Sequence, residues 1–250
     1  MPLDSLIAWM MIFLRSIGVI LQLPVLAGRA IPMSVRLGLC VGLATLLIGI
    51  VPSAPVSLSV GALVIAAAGE VVLGLVLGFV TRIAFAGVEM AGRIIATEVG
   101  LSAAPGMGVP EPATEPLAAL LSAFATVLFF LLGGHHGVLS AFARSFRFAA
   151  AGAPALDSGA GMALIRATAH ILELGLRIAA PFIAMNFLVN LAFAVLGRAV
   201  PKMSVFGDSF SARILIGFGL LSTAGTLTAR YLFVEFGDMP VRMLQLLQAR

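Results

Sequence analysis

The chain has 250 residues, of which 61% are hydrophobic and 10% charged, with a formal net charge of +4. A soluble domain is nearer half apolar and a quarter charged, so this balance excludes an ordinary soluble protein and defines an integral membrane protein built from apolar helices. The positive charge sits on single arginines at helix ends, with Lys202 the only lysine. That is a topology signal rather than a basic stripe with interleaved aromatics, so no nucleic-acid partner is expected.

In chain order, MPLDSLIAWMMIF lacks a basic leading region and places Asp4 near its start, so no cleaved signal peptide is expected and the first apolar stretch stays. Segment one, Ser5 to Ala27, is long enough to cross a bilayer and carries Arg15 near its middle. Pro24 and the run from Gly28 to Pro32 end it. Arg29 and Arg36 flank the turn into segment two, Leu37 to Val51, which is short for a full span. Cys40 stands alone there as a small hydrophobe, without disulfide or metal spacing.

The stretch from Val60 to Gly100 is as apolar as a membrane helix yet carries Glu70, Arg82, Glu89, Arg93 and Glu98. Charges at bilayer depth are costly and face protein or a water-filled cavity. Glu89 and Arg93 stand four apart, acid first, and can pair on one face. As one helix, Val60 to Val99 would be about 60 Å long, about twice the hydrocarbon thickness. Gly69, Gly74, Gly78, Gly87 and Gly92 offer bending points, and Gly74 with Gly78 forms a small-xxx-small surface for close packing. Two topologies follow. Counting this stretch and Met162–Leu196 as single crossings puts the Arg29/Arg36 and Arg144/Arg147 loops on opposite sides. Counting each as a down-and-back pair puts both on one side, which fits the positive-inside rule better and predicts helical hairpins. The following loop, LSAAPGMGVPEPATEP, mixes small residues with Gly and Pro and cannot be a long helix.

Segment four, Leu117 to Leu132, leads into GGHHG, whose adjacent histidines point in different directions and suit an interfacial helix end rather than a metal. In the linker from Ser140 to Gly161, LSAFARSFRFA is amphipathic and suits a membrane surface or a partner. Segment five, about Met162 to Leu196, is interrupted by Pro181 and carries Glu173 and Arg177 four apart, then Asn186 and Asn190 on one face. A turn with Arg198, Lys202 and Asp208 precedes segment six, Ala212 to Ala229, and the tail from Tyr231 could form a separate surface helix.

Nucleotide, zinc and serine-hydrolase motifs are absent, and most charges are matched with Arg at helical spacing, which argues against general acid–base work and against an enzyme. No cofactor is expected.

Four stretches, in register, resemble a known family: RSIGVILQLPV from Arg15 to Val25; GEVVLGLVLGF from Gly69 to Phe79, continuing through Phe85, Ala91-Gly92 and Gly100-Leu101-Ser102; LFFLLGGH from Leu128 to His135 with Ser145-Phe146; and RAVPKMSVF from Arg198 to Phe206, preceded by Pro181 and Asn190. Together they are similar to the FliR/SctT family, membrane components of the flagellar and virulence type III export apparatus. The resemblance covers nearly the whole chain as one domain, 1–250, with N-terminal helices (1–100), a plug-like loop (101–116) and C-terminal helices (117–250). It implies an all-α membrane fold of long broken helices and helical hairpins, and a non-enzymatic export-gate subunit. FliP- and FliQ-like subunits are its implied partners, with FlhB-like and FlhA-like export proteins nearby. Unfolded secreted proteins are the implied cargo, and the bacterial inner membrane and flagellar basal body the implied location. The loop that plugs the gate in that family falls here on Leu101, Ser102, Ala103, Ala104, Pro105, Gly106, Met107, Gly108, Val109 and Pro110. The family often shows Asp-Pro in this loop, where this chain reads Val109-Pro110-Glu111-Pro112. The fourth stretch commonly carries Gln or Arg, and Asn, where this chain has Lys202 and Ser204. Small residues let such a loop pack across a narrow lumen, and Met107 adds a deformable contact. Glu70, Arg82, Glu89 and Arg93 are assigned to buried, inter-subunit or lumen-facing contacts. The competing class is a secondary transporter for a small solute, with helices broken at Pro181 and the mid-stretch glycines.

Overall fold

In a computed structural model, residues 3–27, 31–101, 115–154, 160–199 and 205–248 are described. They form helices in the order α1 (Leu3–Gln22), α2 (Pro24–Ala27), α3 (Met33–Leu47), α4 (Val60–Val99), α5 (Pro116–Leu131), α6 (Gly134–Phe148), α7 (Ala160–Ala199) and α8 (Val205–Gln248). Four of them, α1, α4, α7 and α8, are long and apolar enough to cross a membrane, and the pair α5 and α6 could supply a fifth, broken span.

Proline and glycine set most of the boundaries. α1 stops at Gln22, before Pro24, which has no N–H to continue the ladder. Pro32, extended at φ −64° and ψ 151°, precedes α3. Ser59 opens α4 by offering Oγ to the Ala62 N–H at 3.4 Å. The other end of α4 is closed by Gly100 at φ +86°, with Gly100 N–H donating to Thr97 O (3.1 Å) and Leu101 N–H to Ala96 O (2.7 Å). That pair of bonds is a Schellman stop, and its left-handed residue is one that glycine adopts without steric cost.

The helices run longer than the sequence predicts. The fold-back expected inside Val60–Val99 is not found: α4 is one uninterrupted helix of 40 residues. Gly69, Gly74, Gly78, Gly87 and Gly92 give up their side chains to close packing rather than to bends. Pro181 does not interrupt α7, which runs 40 residues through it. Segment six and the tail, read as separate, are one 44-residue helix, α8, with Pro240 inside. An internal proline removes one hydrogen bond and strains one turn, but a helix packed along its length tolerates that loss. A hairpin does occur elsewhere. α1 and α3 run antiparallel, with Trp9 Nε1–H donating to Thr45 Oγ1 at 3.1 Å. The break expected after segment four falls at Leu132–Gly133, where Gly133 has φ +70°.

The chain divides into two compact units. The first comprises Met1–Ala84, Phe129–Ala169 and Glu235–Arg250, and the second Phe85–Leu128 and His170–Val234. In the first, α1 crosses α4 almost backbone to backbone. A Cβ on Gly18 would lie 2.6 Å from Leu75 N and 2.7 Å from Val71 O, and one on Gly78 would lie 2.7 Å from Gln22 Cβ. The small-xxx-small surface at Gly74 and Gly78 is therefore the seat of α1. The apolar face of α6, with Val138, Ala141, Phe142 and Phe146, is buried, and Arg144 and Arg147 on its other face are exposed. Beyond α6, Ala151 pairs with the segment before α4: Ala54 N–H donates to Ala151 O (2.9 Å) and Ala151 N–H to Pro52 O (3.1 Å).

In the second unit, α4 and α7 run parallel. Gly87 lies against Leu174 at one level, and Glu98 meets Asn186 at the other. Gly92 receives Ala118 of α5, and Val99 packs on Gly217 of α8. Phe85, Val88, Ala91, Ile95, Leu174, Ile178 and Phe182 are among the buried side chains of this unit.

Candidate functional site

Arg15 and Glu70 form the ionic centre of the first unit, and both side chains are 0% exposed. Arg15 lies on the buried face of α1, three residues before the Gly18 crossing. Glu70 lies on α4, four residues before Gly74. The glycine contact thus brings the two backbones close enough for a bidentate pair. Arg15 donates Nε–H to Glu70 Oε2 at 2.5 Å and Nη2–H to Glu70 Oε1 at 3.0 Å. Further donors reach Ser145 Oγ (3.2 Å) and Ala149 O (2.9 Å), and its Cζ lies over the Phe146 ring, 3.9 Å from the centroid. Glu70 Oε1 also accepts the Gly152 N–H at 2.8 Å, and Ser145 Oγ donates to Phe142 O at 2.7 Å. A guanidinium matches a carboxylate in this fork geometry and stacks on an aromatic face, which suits it to a desolvated site better than an ammonium. The pair therefore joins α1, α4, α6 and the 149–152 segment in one closed polar network.

The other charges singled out from sequence are placed differently. Arg82 is exposed and donates Nη1–H to Gln22 Oε1 at 3.3 Å. Glu89 and Arg93 make the i,i+4 pair at 2.8 Å, with side chains 47% and 62% exposed. Glu173 and Arg177 do the same on α7 at 2.6 Å. None of these is brought to Glu70. Of the loop residues, Leu101 is exposed beyond the α4 stop, whereas Ser102, Ala103, Ala104, Pro105, Gly106, Met107, Gly108, Val109 and Pro110 lie outside the described residues.

Sequence reasoning named both Arg15 and Glu70 but not their pairing. A signal was available: each is an ionisable residue near the middle of an apolar segment, and neither has an opposite charge three or four residues away in its own helix. Among the described residues no group of three or more His, Cys, Asp or Glu side chains could hold a metal. The matched broken helices that a transporter would need are also not found in α4 and α7, which are continuous.

Long apolar helices knit together by small residues and a fully buried ion pair define an integral membrane protein of the all-α class. Comparison with known proteins narrows this further. The family model for bacterial export proteins, family 1, matches residues 6–239, and the chain belongs to that family. Its relatives include the flagellar biosynthetic protein FliR of Escherichia coli strain K12, 30% identical over 94% of each chain. FliR of Pectobacterium carotovorum is 32% identical over 91% of this chain and 88% of the relative. The secretion system apparatus protein SsaT of Salmonella typhimurium is 26% identical over 85% of each.

Proposed function

We propose that the chain is a structural, non-catalytic subunit of a type III export gate in the bacterial inner membrane, within a flagellar basal body. It assembles with FliP- and FliQ-like subunits, beside FlhB-like and FlhA-like export proteins, around a path for unfolded secreted proteins. The observation that carries this reading is the family match over residues 6–239, joined to relatives named for flagellar biosynthesis and for a secretion apparatus.

The distribution of polar groups supports a shared assembly. The most apolar stretch of α8 has only 11% of its residues buried within the chain, against 44% in α4. Among the uncovered positions of α7 and α8 are Arg198 and Arg230, and the exposed Glu89–Arg93 and Glu173–Arg177 pairs lie on helices of membrane-spanning length. Ion pairs and lone arginines against acyl chains would cost several kcal/mol. Neighbouring subunits or a wet lumen supply the missing environment. In the same reading Leu101–Pro110, within the 101–116 loop, closes the resting path.

Two measurements test it. Purified under mild detergent, the chain is expected to carry FliP- and FliQ-like subunits with it; a stable, solute-binding monomer would overturn the gate. Deleting Gly106 to Gly108 is expected to raise the ion leak of reconstituted complexes at least severalfold. An unchanged leak removes the sealing role and leaves the assembly role standing.

A further inference from the structure

We propose that Arg144 and Arg147, on the outer face of α6, bind the phosphate groups of anionic phospholipids and so moor the end of that helix at a membrane–water boundary. The inference needs only that the chain is a membrane protein, and it stands or falls apart from the gate reading.

An amphipathic helix read from sequence alone would lie on a membrane with its apolar side down. The structure closes that option for α6, because its apolar side faces protein. Phe142 and Phe146 are buried, the Arg15 guanidinium lies over the Phe146 ring, and Pro240 of α8 packs at Gly137. What α6 turns outward is polar. His136, Ser140, Arg144 and Arg147 follow one another at steps of three and four residues, and all are exposed. α6 contains no Asp or Glu. Among the described residues neither Arg144 nor Arg147 makes an ion pair or a hydrogen bond through its side chain. Arg15, Arg93, Arg177 and Arg242 differ, since each meets a carboxylate. The outer face of α6 is therefore a cationic surface whose complement is an anion from outside the chain.

The neighbouring backbone says which anion. The Arg15–Glu70 network binds Ser145, Ala149 and Gly152 into one block with the end of α6. In the same block Ala151 pairs with the segment before α4, through Ala54 N–H to Ala151 O (2.9 Å) and Ala151 N–H to Pro52 O (3.1 Å). That segment is irregular from Val51 to Ser59, and Pro52, Ser53, Pro55, Ser57 and Ser59 are exposed. Exposed irregular backbone among acyl chains would leave its N–H and C=O groups without partners, so it lies outside the hydrocarbon. The end of α6, tied to it, lies at headgroup level. The anions concentrated there are lipid phosphates, and a guanidinium matches phosphate oxygens with paired N–H donors. Phe148, exposed beside Arg147, adds apolar surface for the adjoining acyl chains.

The test is selective lipid capture. The full chain, purified in mild detergent with the subunits it carries, is titrated with phosphatidylglycerol or with phosphatidylcholine, and bound lipid is counted by native mass spectrometry. The unmodified protein is expected to favour phosphatidylglycerol, less so as salt rises. Arg144→Ala with Arg147→Ala is expected to lower that preference about twenty-five-fold, about fivefold for each basic side chain near an anionic surface. Arg144→Lys with Arg147→Lys keeps both charges and is expected to keep most of the preference. Arg82→Ala removes an exposed arginine about 18 Å along α4 from Glu70 and is expected to leave the preference unchanged. Protease resistance is measured alongside and is expected to hold in every variant, since these side chains are exposed. An unchanged preference in the alanine pair overturns the proposal. An equal loss in Arg82→Ala also overturns it, by reducing the effect to net charge. If the alanine pair keeps the preference but sheds a co-purifying subunit, the face belongs to an acidic protein and the lipid assignment fails. Should the alanine pair not accumulate, Arg147→Ala alone decides: a fivefold loss upholds the proposal and no loss overturns it.

Discussion

Arg15→Ala is expected to remove most of the stably folded protein from the membrane, and Glu70→Ala to do nearly the same. Breaking a desolvated ion pair by deleting one partner leaves the other buried and uncompensated, at a cost of about 3–5 kcal/mol, a large part of the roughly 5–15 kcal/mol by which a folded domain is held together. Here the loss spreads beyond the pair. Without the guanidinium, Ser145 Oγ and Ala149 O lose a donor and Phe146 loses its stacked cation; without the carboxylate, Gly152 N–H loses its acceptor. Replacing both residues by apolar ones, Arg15→Met with Glu70→Leu, is expected to recover part of the loss, because no ion is then left buried. Recovery stays incomplete because the Gly152 N–H and the Ala149 carbonyl lose these partners, at about 1–3 kcal/mol each, while Ser145 keeps its bond to Phe142 O. The measurement is a double-mutant cycle on the yield of protease-resistant protein. Strictly additive single and double effects would mean the two side chains do not act as a unit.

The same residues show what a sequence can and cannot disclose. The ends of α4, Val60 and Val99, were legible, because an apolar run bounded by a serine and a glycine is local information, but its continuity was not: the loop charges favour a fold-back within it. The pairing of Glu89 with Arg93 was legible too, since four-residue spacing fixes their proximity within one helix. Arg15 with Glu70 was not, because 55 residues separate them and their meeting depends on where α1 crosses α4. The continuity of α7 through Pro181 and of α8 through Pro240 was also hidden. A proline's local cost is visible in the sequence, but the packing that offsets it is not. Pro240, for example, lies against Gly137 of α6, where a side chain would meet its ring at 2.8 Å. The Glu98–Asn186 bond belongs to this second kind: the Asn186–Asn190 spacing is readable, and the helix it faces is not.

Gly74→Val is expected to be nearly as damaging as loss of the ion pair, and through it. The helix already bears about 1 kcal/mol for each glycine relative to alanine, so glycine at this position is explained only by the space it leaves. A Cβ on Gly74 would run into the carbonyl oxygen of Arg15, with Arg15 C and Gly18 Cα at 3.1 Å. These are backbone atoms of a packed helix, which cannot rotate aside as a side-chain tip can, so the overpacking falls at or above the upper end of the usual range of about 1–3 kcal/mol. Relief requires α1 to move away from α4. Arg15 is itself the residue struck, so that motion also stretches the 2.5 Å and 3.0 Å bonds from its side chain to Glu70. Gly61 on the same helix is the control, since nothing lies within 4 Å of where its Cβ would be. Gly61→Ala is expected to be neutral or to stabilise by up to about 1 kcal/mol through helix propensity alone. Thermal aggregation of both variants in detergent, repeated in a background of Arg15→Ala, separates the two contributions. If Gly74→Val costs less once Arg15 is already gone, the glycine crossing and the ion pair are one device: the backbone contact sets the spacing at which the guanidinium and carboxylate can meet.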